Sequence, residues 1–382
     1  MEKNIVLKAL LVNRRRHLVF PCAVLAAALS FGTAGIATAK QCLVPTIVFT
    51  STNPLDPMGP VADAEIYLAD LVEVPDGTER MELTNVRRLT DNYPDGDGLP
   101  ALSPDGKKIV FDSNRARGPG EPLNTSDLFV MNTDGSEQTF LTRGSSANWS
   151  PDGKSIVFHR SASGTELPIR MDPGAPATDS DIFVAKEGDL LEHVEPTNTT
   201  FEDPLVRVFI NQDPDWSPDG QKIMFTRHDV NDNPAGPVFN YTTAEIWVIN
   251  ADGTGLDRLT FNSVEERSPA WDPDSKRIAY SCREGTQGGN ALEICVINVE
   301  TRVQTKVTDN AVADLGPQWI PSPDGDHKIV FQRPVAGRQQ AWVMNADGTG
   351  QTRLTGTDLL PGTESTNLFP SWGVVRANCE DD

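Results

Sequence analysis

The strongest constraint on the fold is a short turn motif that recurs along the chain. Sequences related to Trp-Ser-Pro-Asp-Gly-Lys-x-Ile-x-Phe occur five times, and they end at Phe111, Phe158, Phe225, Tyr280 and Phe331. Pro presets φ for the first central turn position, and Asp-Gly adds a local side-chain hydrogen bond and a residue that tolerates positive φ. The β-branched and aromatic run after each turn favours a strand covered on both faces. Each copy therefore predicts a strand, a tight turn and a second strand.

A second motif follows each copy of the first. Apolar runs such as Glu-Ile-Trp-Val-Ile-Asn at 245–250 predict a third strand, and several continue through an Asp-Gly turn, as at Asp252-Gly253. A short fourth strand then ends in Leu-Thr or Val-Thr. Four strands per unit, repeated along the chain, are typical of a β-propeller blade.

The number of copies predicts the number of blades. Six first strands and six second strands can be counted, but the chain begins with a second strand at 46–51 and ends with an isolated first strand at 369–375. We therefore expect an all-β, six-bladed β-propeller of four-stranded antiparallel blades, with the first blade completed by the C-terminal strand. Such closure removes the free sheet edges of an open ring. The fourth strand of blade 3 has two candidates, near 191–194 or within 205–210.

These repeats resemble the β-propeller repeats of the TolB family over roughly residues 46–375. The resemblance implies the propeller fold and, for function, periplasmic binding to an envelope lipoprotein. The α/β domain that precedes the propeller in that family is not expected here. Similar repeats also precede the hydrolase domain of dipeptidyl peptidases, but the sequence has no Gly-x-Ser-x-Gly nucleophile motif.

The N-terminus predicts export. Residues 1–39 combine a basic cluster (Arg14, Arg15 and Arg16), a largely apolar run at 18–29 and a small-residue cleavage site at 37–39. This is the pattern of a secretory signal peptide. We expect a mature propeller domain at 40–382 that is periplasmic or secreted. No other segment approaches the ~20 apolar residues of a membrane span.

Charge and loop lengths bound the function. The formal net charge of −21 disfavours nucleic acid and anionic lipid as partners. The long connections lie between second and third strands and between some blades, so they emerge on one face, where binding usually resides. We expect a monomeric, non-enzymatic scaffold that binds another envelope or extracellular protein through that face. The alternative is a carbohydrate-active lyase or hydrolase with its site at the channel mouth.

An arginine follows the second strand in five of the six predicted blades. These residues are Arg115, Arg160, Arg227, Arg283 and Arg333. Together they would form a channel-mouth site for anions or carboxylates, because a guanidinium group donates paired hydrogen bonds to such groups. The alternative is that each arginine pairs with an acid of a neighbouring blade and only holds the blades together.

The sequence predicts no catalytic residue and no metal site. The histidines after residue 39 are scattered and form no metal-binding pattern. No cofactor is expected, although the Asp-rich stretches 91–98 and 229–233 offer oxygen ligands of the kind that Ca²⁺ prefers.

Four cysteines follow the predicted cleavage site, and an even number in an exported chain indicates disulfides. We expect Cys42 to pair with Cys379, because Cys42 precedes the second strand of blade 1 and Cys379 follows its first strand. We expect Cys282 to pair with Cys295 across the second and third strands of blade 5.

Overall fold

The computed structural model describes residues 41–52, 64–73, 81–92, 95–115, 127–161, 180–186, 195–196, 209–229, 244–262, 264–283, 291–322, 325–354 and 366–378. The predicted signal peptide and most of the long connections lie outside these residues.

The described residues form 24 strands and no helix. In chain order the strands are β1 (Gln41–Thr52), β2 (Ala64–Glu73), β3 (Met81–Arg88), β4 (Asp97–Leu102), β5 (Lys108–Ser113), β6 (Asp127–Asn132), β7 (Thr139–Arg143), β8 (Ser145–Trp149), β9 (Ser155–Ser161), β10 (Ser180–Lys186), β11 (Glu195–Pro196), β12 (Phe209–Trp216), β13 (Lys222–Asp229), β14 (Glu245–Asn250), β15 (Asp257–Arg258), β16 (Glu266–Trp271), β17 (Arg277–Cys282), β18 (Glu293–Asn298), β19 (Gln304–Lys306), β20 (Leu315–Ile320), β21 (Lys328–Val335), β22 (Arg338–Asn345), β23 (Thr352–Arg353) and β24 (Thr366–Asn378).

The strands pair into six antiparallel blades, which confirms the predicted propeller. Blade 1 has the order β24-β1-β2-β3, blade 2 is β4 to β7, blade 5 is β16 to β19 and blade 6 is β20 to β23. Blades 3 and 4 are β8 to β11 and β12 to β15. The pairing of β24 with β1 runs from Gln41 opposite Asn378 to Thr52 opposite Thr366. The last strand of the described chain therefore completes the first blade, as expected.

Blade 3 departs from the regular pattern at its outer edge. Its fourth strand is the two-residue β11, where Pro196 pairs with Phe183 of β10, so it lies directly after the first predicted candidate at 191–194. One parallel pair, Ser180 with Ile210, also joins β10 to β12. Blades 3 and 4 are consequently continuous as one eight-stranded sheet.

The turn between first and second strands forms by local hydrogen bonds. In blade 3 the Ser150 hydroxyl donates to Asp152 Oδ1 at 2.6 Å and accepts from the backbone N–H of Ser155 at 2.9 Å. Gly153 has φ 71°, a value that a residue without Cβ adopts readily. Because all these partners lie within six residues, the turn geometry is specified by the local sequence.

Apolar side chains from adjacent blades fill the seams between them. On β5, Phe111 packs towards blade 1 with Val48 and Leu68, whereas Val110 packs towards blade 3 with Phe158. Alternate residues of one strand therefore serve the two neighbouring seams. This arrangement explains why the second strands are apolar on both faces.

Each first strand from blade 2 to blade 6 is interrupted by a bulge near the channel. The residue at the bulge has positive φ between 48° and 57° in all five strands. We call these residues the bulge ring: Leu99, Ser146, Asp213, Ser268 and Gly316. A bulge places two residues opposite one on the partner strand and re-aims the side chains beside it.

Candidate binding site at the blade ends and central channel

The five predicted arginines occupy three different register positions at the same end of their blades. Arg160, Arg227 and Arg333 come two residues after the aromatic residue of the second strand. Arg283 comes three residues after that position and Arg115 four. We call this set the arginine rim.

Four of the rim guanidinium groups lie over an aromatic ring of the third strand. The Cζ atom is 4.5 Å from the ring centroid of Phe129 for Arg115, 4.5 Å from Phe183 for Arg160, 5.2 Å from Trp247 for Arg227 and 5.0 Å from Trp342 for Arg333. Stacking of this kind holds a planar cation in a fixed orientation. The rim is therefore positioned by the sheets rather than by the long connections.

Three rim arginines also form ion pairs. Arg115 Nη2 is 2.8 Å from Asp97 Oδ2, and Arg283 Nη2 is 2.6 Å from Glu265 Oε2. Arg333 binds Asp314 side-on, with Nε to Oδ1 and Nη2 to Oδ2 both at 2.7 Å.

All three acids lie at the start of the first strand of the same blade. The alternative hypothesis from the sequence is that each arginine pairs with an acid of a neighbouring blade. In these three ion pairs the acid belongs to the same blade as the arginine. These ion pairs therefore connect the first strand to the end of the second strand within one blade. Other groups form the contacts between neighbouring blades.

An asparagine from the preceding blade completes each of two such pairs. Asn92 Nδ2 donates to Asp97, and Asn310 Nδ2 donates to Asp314 Oδ2 at 2.9 Å. The backbone N–H of Asn310 donates to Glu293 at 2.7 Å, within its own blade. Asparagine thus links the third strand of one blade to the first strand of the next. The sequence signal for this link is a Thr-x-Asn triplet after the fourth strand, at 90–92 and 308–310, and the pattern of arginines does not predict it.

Blade 3 has no acid at the position that binds the rim arginine in blades 2 and 6. The residue opposite Arg333 in the β20–β21 register is Asp314, and the residue opposite Arg160 in the β8–β9 register is Gly144. A Cβ on Gly144 would lie 2.4 Å from Cδ2 of Phe158, so no other residue fits there without rearrangement. The Nε atom of Arg160 is buried and has no hydrogen-bond partner among the described residues.

Blade 4 carries an amide at the same register position. Asn211 lies opposite Arg227, and its side chain donates to the Ser180 carbonyl of blade 3 at 2.7 Å. Arg227 itself is only 4% exposed. This arginine is therefore part of the seam between blades 3 and 4 rather than of the accessible rim.

The channel near blade 4 holds a second polar cluster. Asp213, in the bulge ring, accepts a hydrogen bond from the Ser146 hydroxyl of blade 3 and one from the Ser268 backbone N–H of blade 5, each at 3.3 Å. Burial lowers the pKa of His159, and the nearby Asp213 carboxylate partly opposes this effect. Burial raises the pKa of Asp215 to about 7, although the backbone N–H groups of Trp271 and Trp216 bind its charged form.

A further carboxyl group in the seam between blades 4 and 5 behaves in the same way. Burial raises the pKa of Glu266 to about 7, and the neighbouring charge of Glu245 adds to the rise. Thr260 and Asn262 donate hydrogen bonds to Glu266 and oppose it. A protonated carboxyl group at either position donates as well as accepts, which charged carboxylates cannot do.

The disulfide between Cys282 and Cys295 is present, with 5.8 Å between the two Cα atoms. Cys282 occupies the register position of Arg160 and Arg333, and Cys295 occupies that of the stacked aromatic residue. In blade 5 the disulfide thus replaces the stack of a cation on a ring. The Cys42 backbone pairs with Ala377 in β24, but Cys379 lies outside the described residues, so their pairing stays a prediction.

Within the part of the chain that the structure describes, no group of three or more His, Cys, Asp or Glu side chains is arranged to hold a metal ion. In the first Asp-rich stretch, Asp91 pairs with Arg88 and Asp97 with Arg115. Of the second stretch only Asp229 is described. A search of the described residues finds no helix of the length and hydrophobicity that crossing a bilayer requires.

Comparisons with known proteins support the fold. No protein-family model matches the chain. The TolB structure from Acinetobacter baumannii superposes with a TM-score of 0.59 at 18% identity, covering 86% of this chain and 66% of that one. The chain has a TolB-like propeller fold. This TolB-like propeller leaves about a third of the A. baumannii protein without a counterpart.

Two sequence relatives extend the picture. The uncharacterized protein Atu1656 from Agrobacterium fabrum is 23% identical over 252 residues, which is 65% of this chain and 72% of the relative. The uncharacterized peptidase YuxL from Bacillus subtilis is 26% identical over 129 residues, 34% of this chain. The TolB-like propeller spans only 18% of YuxL, so the match concerns repeats and not a whole peptidase.

Proposed function

We propose that this TolB-like propeller is an exported binding module that recognises another envelope or extracellular protein through the face carrying the arginine rim. The observation that carries the proposal is the rim itself. Four arginines stand partly exposed at one end of the ring, and stacking or an ion pair holds each in place: Arg115, Arg160, Arg283 and Arg333. A pre-organised surface loses little side-chain entropy on binding.

An exposed aromatic residue on the same face supports a protein partner. Phe261 is 73% exposed and follows the fourth strand of blade 4, at the same end as the rim. The Arg258 guanidinium lies 4.9 Å from its ring centroid. Aromatic and arginine side chains are enriched in the centres of protein interfaces. Residues 1–39 supply the proposed export signal.

Photo-crosslinking tests this proposal. A photoreactive amino acid at Phe261 or Asp309, on the rim face, is expected to capture one protein from envelope extract. The same group at Asp152 or Asp219, in exposed turns on the opposite face, serves as the matched control. Capture from the turn positions alone, or equal capture from both faces, would contradict the proposal.

The channel cluster favours a second candidate function. His159, whose Nδ1 atom is buried and which lies near Asp213, and Asp215 with its raised pKa are groups suited to proton transfer on a carbohydrate that enters the channel. If this is the activity, turnover of oligosaccharides should be lost in Asp213→Asn and retained in Asp309→Asn. Equal turnover in the two variants would rule out the channel as the site.

A further inference from the structure

The end of blade 3 is the place where the repeated architecture is incomplete. Blades 2, 5 and 6 each satisfy their rim arginine with a carboxylate from the start of the first strand. Blade 3 keeps the arginine and the aromatic residue beneath it but carries Gly144 at the position of the acid. The repeats themselves therefore show which group is missing.

Blade 6 provides the direct comparison, because Arg333 and Arg160 share one register position. In blade 6 the Nε and Nη2 atoms of Arg333 donate to the two oxygens of Asp314. In blade 3 the corresponding Nε atom is buried and has no acceptor among the described residues. A buried donor without a partner costs free energy, so a ligand that supplies an acceptor there is stabilised.

The surrounding charge favours an anion. Burial lowers the pKa of Arg160, and the nearby charge of Arg143 lowers it further. Asp181 lies opposite Arg160 on β10 and is itself buried. Arg160 as a whole is partly exposed, although its Nε atom is buried.

The chain cannot supply the missing group at Gly144. The space that its Cβ would occupy is filled by the Phe158 ring, at 2.4 Å, and by the His159 carbonyl oxygen, at 3.0 Å. The φ of 150° at Gly144 also disfavours any other residue. A counter-ion for Arg160 must therefore come from outside the described strands.

We propose that the end of blade 3 is a carboxylate-binding subsite, in which Arg160, stacked on Phe183 beside Arg143, binds a carboxylate supplied by a ligand. The ligand class follows from the internal pairs, since an aspartate that binds the rim arginine fills the equivalent place in blades 2 and 6. The source is an acidic side chain or C-terminus of the partner protein, and for that source the inference rests on the proposed function. A small free carboxylic acid is the other source.

The arginine Nε–H signals in a nitrogen–proton correlation spectrum of the full chain provide the test. Glutarate is titrated at constant ionic strength, and the Arg160 signal is assigned by its loss in Arg160→Lys. We expect that signal to shift and saturate, and Arg160→Gln to weaken glutarate binding at least tenfold. Arg353→Gln, which removes an exposed arginine of blade 6, should leave binding unchanged.

A shift that does not saturate, or equal glutarate binding by Arg160→Gln and the unaltered protein, would overturn the subsite. Arg160→Lys retains the charge and the aliphatic stem, so it replaces the glutamine variant if that variant does not fold.

Two peptide arms separate the sources. A glutamate-containing peptide with blocked ends is compared with its glutamine counterpart and with a peptide that has a free C-terminus. Binding at least tenfold tighter than glutarate by either carboxylate-bearing peptide supports the protein source. Peptide binding no tighter than glutarate binding would contradict a partner protein as the source of the carboxylate. A saturating response to glutarate would still support the subsite itself. This outcome is therefore distinct from failure of the crosslinking test.

Discussion

At the scale of single residues, the same register position carries out different tasks in different blades. The place opposite the end of the second strand holds an acid in blade 6, an amide in blade 4 and glycine in blade 3. Two single positions test this view of the blades: Gly144, which excludes a side chain, and Asp215, whose carboxyl group has a raised pKa.

Gly144→Ala is expected to reduce the free energy of unfolding by about 2–3 kcal/mol, because Cβ overlaps Phe158 and φ is unfavourable. Gly220→Ala is the matched control, since φ is also positive there but nothing lies within 4 Å of its Cβ. We expect the control to cost about 1 kcal/mol. Urea denaturation compares the two, and equal losses would contradict the clash at Gly144.

Asp215→Asn is expected to change how stability depends on pH. The pKa of Asp215 rises from 3.8 to about 7 on folding, so the folded chain holds its proton more tightly than the unfolded chain does. The unaltered protein should therefore lose stability between about pH 4 and pH 7, with an upper limit of about 4 kcal/mol from this group. The variant should gain stability relative to the unaltered protein at pH 8 and little at pH 4. The same difference at both pH values would contradict this assignment.

At the scale of strands and turns, the parts that could be predicted from sequence are those whose partners are local. The Ser150–Asp152 turn closes within six residues, and the counting of such turns predicts the blades and the closing strand. The pairing of Arg115 with Asp97 depends on register between two strands and a bulge, which spacing alone does not fix. For the same reason the missing acid at Gly144 becomes visible only when the first strands are aligned on the bulge ring.

The disulfide of blade 5 is expected to contribute about 2–3 kcal/mol, because it closes a loop of 13 residues in the unfolded chain. The measurement is urea denaturation with and without reductant. A double variant, Cys282→Ala with Cys295→Ala, removes the bond and serves as the control. Stability of the double variant that still falls on reduction would report the second predicted bond, Cys42–Cys379. No effect of reductant on the unaltered protein would contradict both.

The seam between blades 5 and 6 should depend on a single amide. Asn310→Ala removes donors to Asp314 and Glu293, both of which are buried, and is expected to cost about 1–3 kcal/mol. Asp309→Ala alters the exposed neighbour, whose ion pair with Lys306 contributes less than about 1 kcal/mol. Chemical denaturation measures the free energy of unfolding of the two variants. Equal losses of stability would show that the asparagine link is dispensable.

At the scale of the whole molecule, the ring is closed by β24 and β1. They pair at eleven positions along their length, although they stand at opposite ends of the described chain. The fold is therefore one cooperative unit rather than a row of independent blades, and damage to the closing strand should affect all six.

Removal of residues 366–382 is expected to abolish cooperative unfolding, because β1 becomes an unpaired edge. A synthetic peptide covering 366–378, added in trans, should restore it in a concentration-dependent way. Removal of residues 380–382 alone is the control and should leave the transition unchanged. Calorimetry makes the comparison, and a sharp transition in the longer truncation without peptide would show that the ring does not need this strand.

The closing strand also sets the order of events when the protein is made. Blade 1 cannot be completed until β24 has been synthesised, and β24 follows every other described strand in the chain. Pairing between strands so far apart in sequence slows folding, and β1 keeps an unpaired, aggregation-prone edge until the pairing forms. Until β24 is available, β1 presents an unpaired edge that can pair with other chains. Delivery of the chain unfolded across a membrane would delay this exposure until the chain reaches the compartment in which it folds.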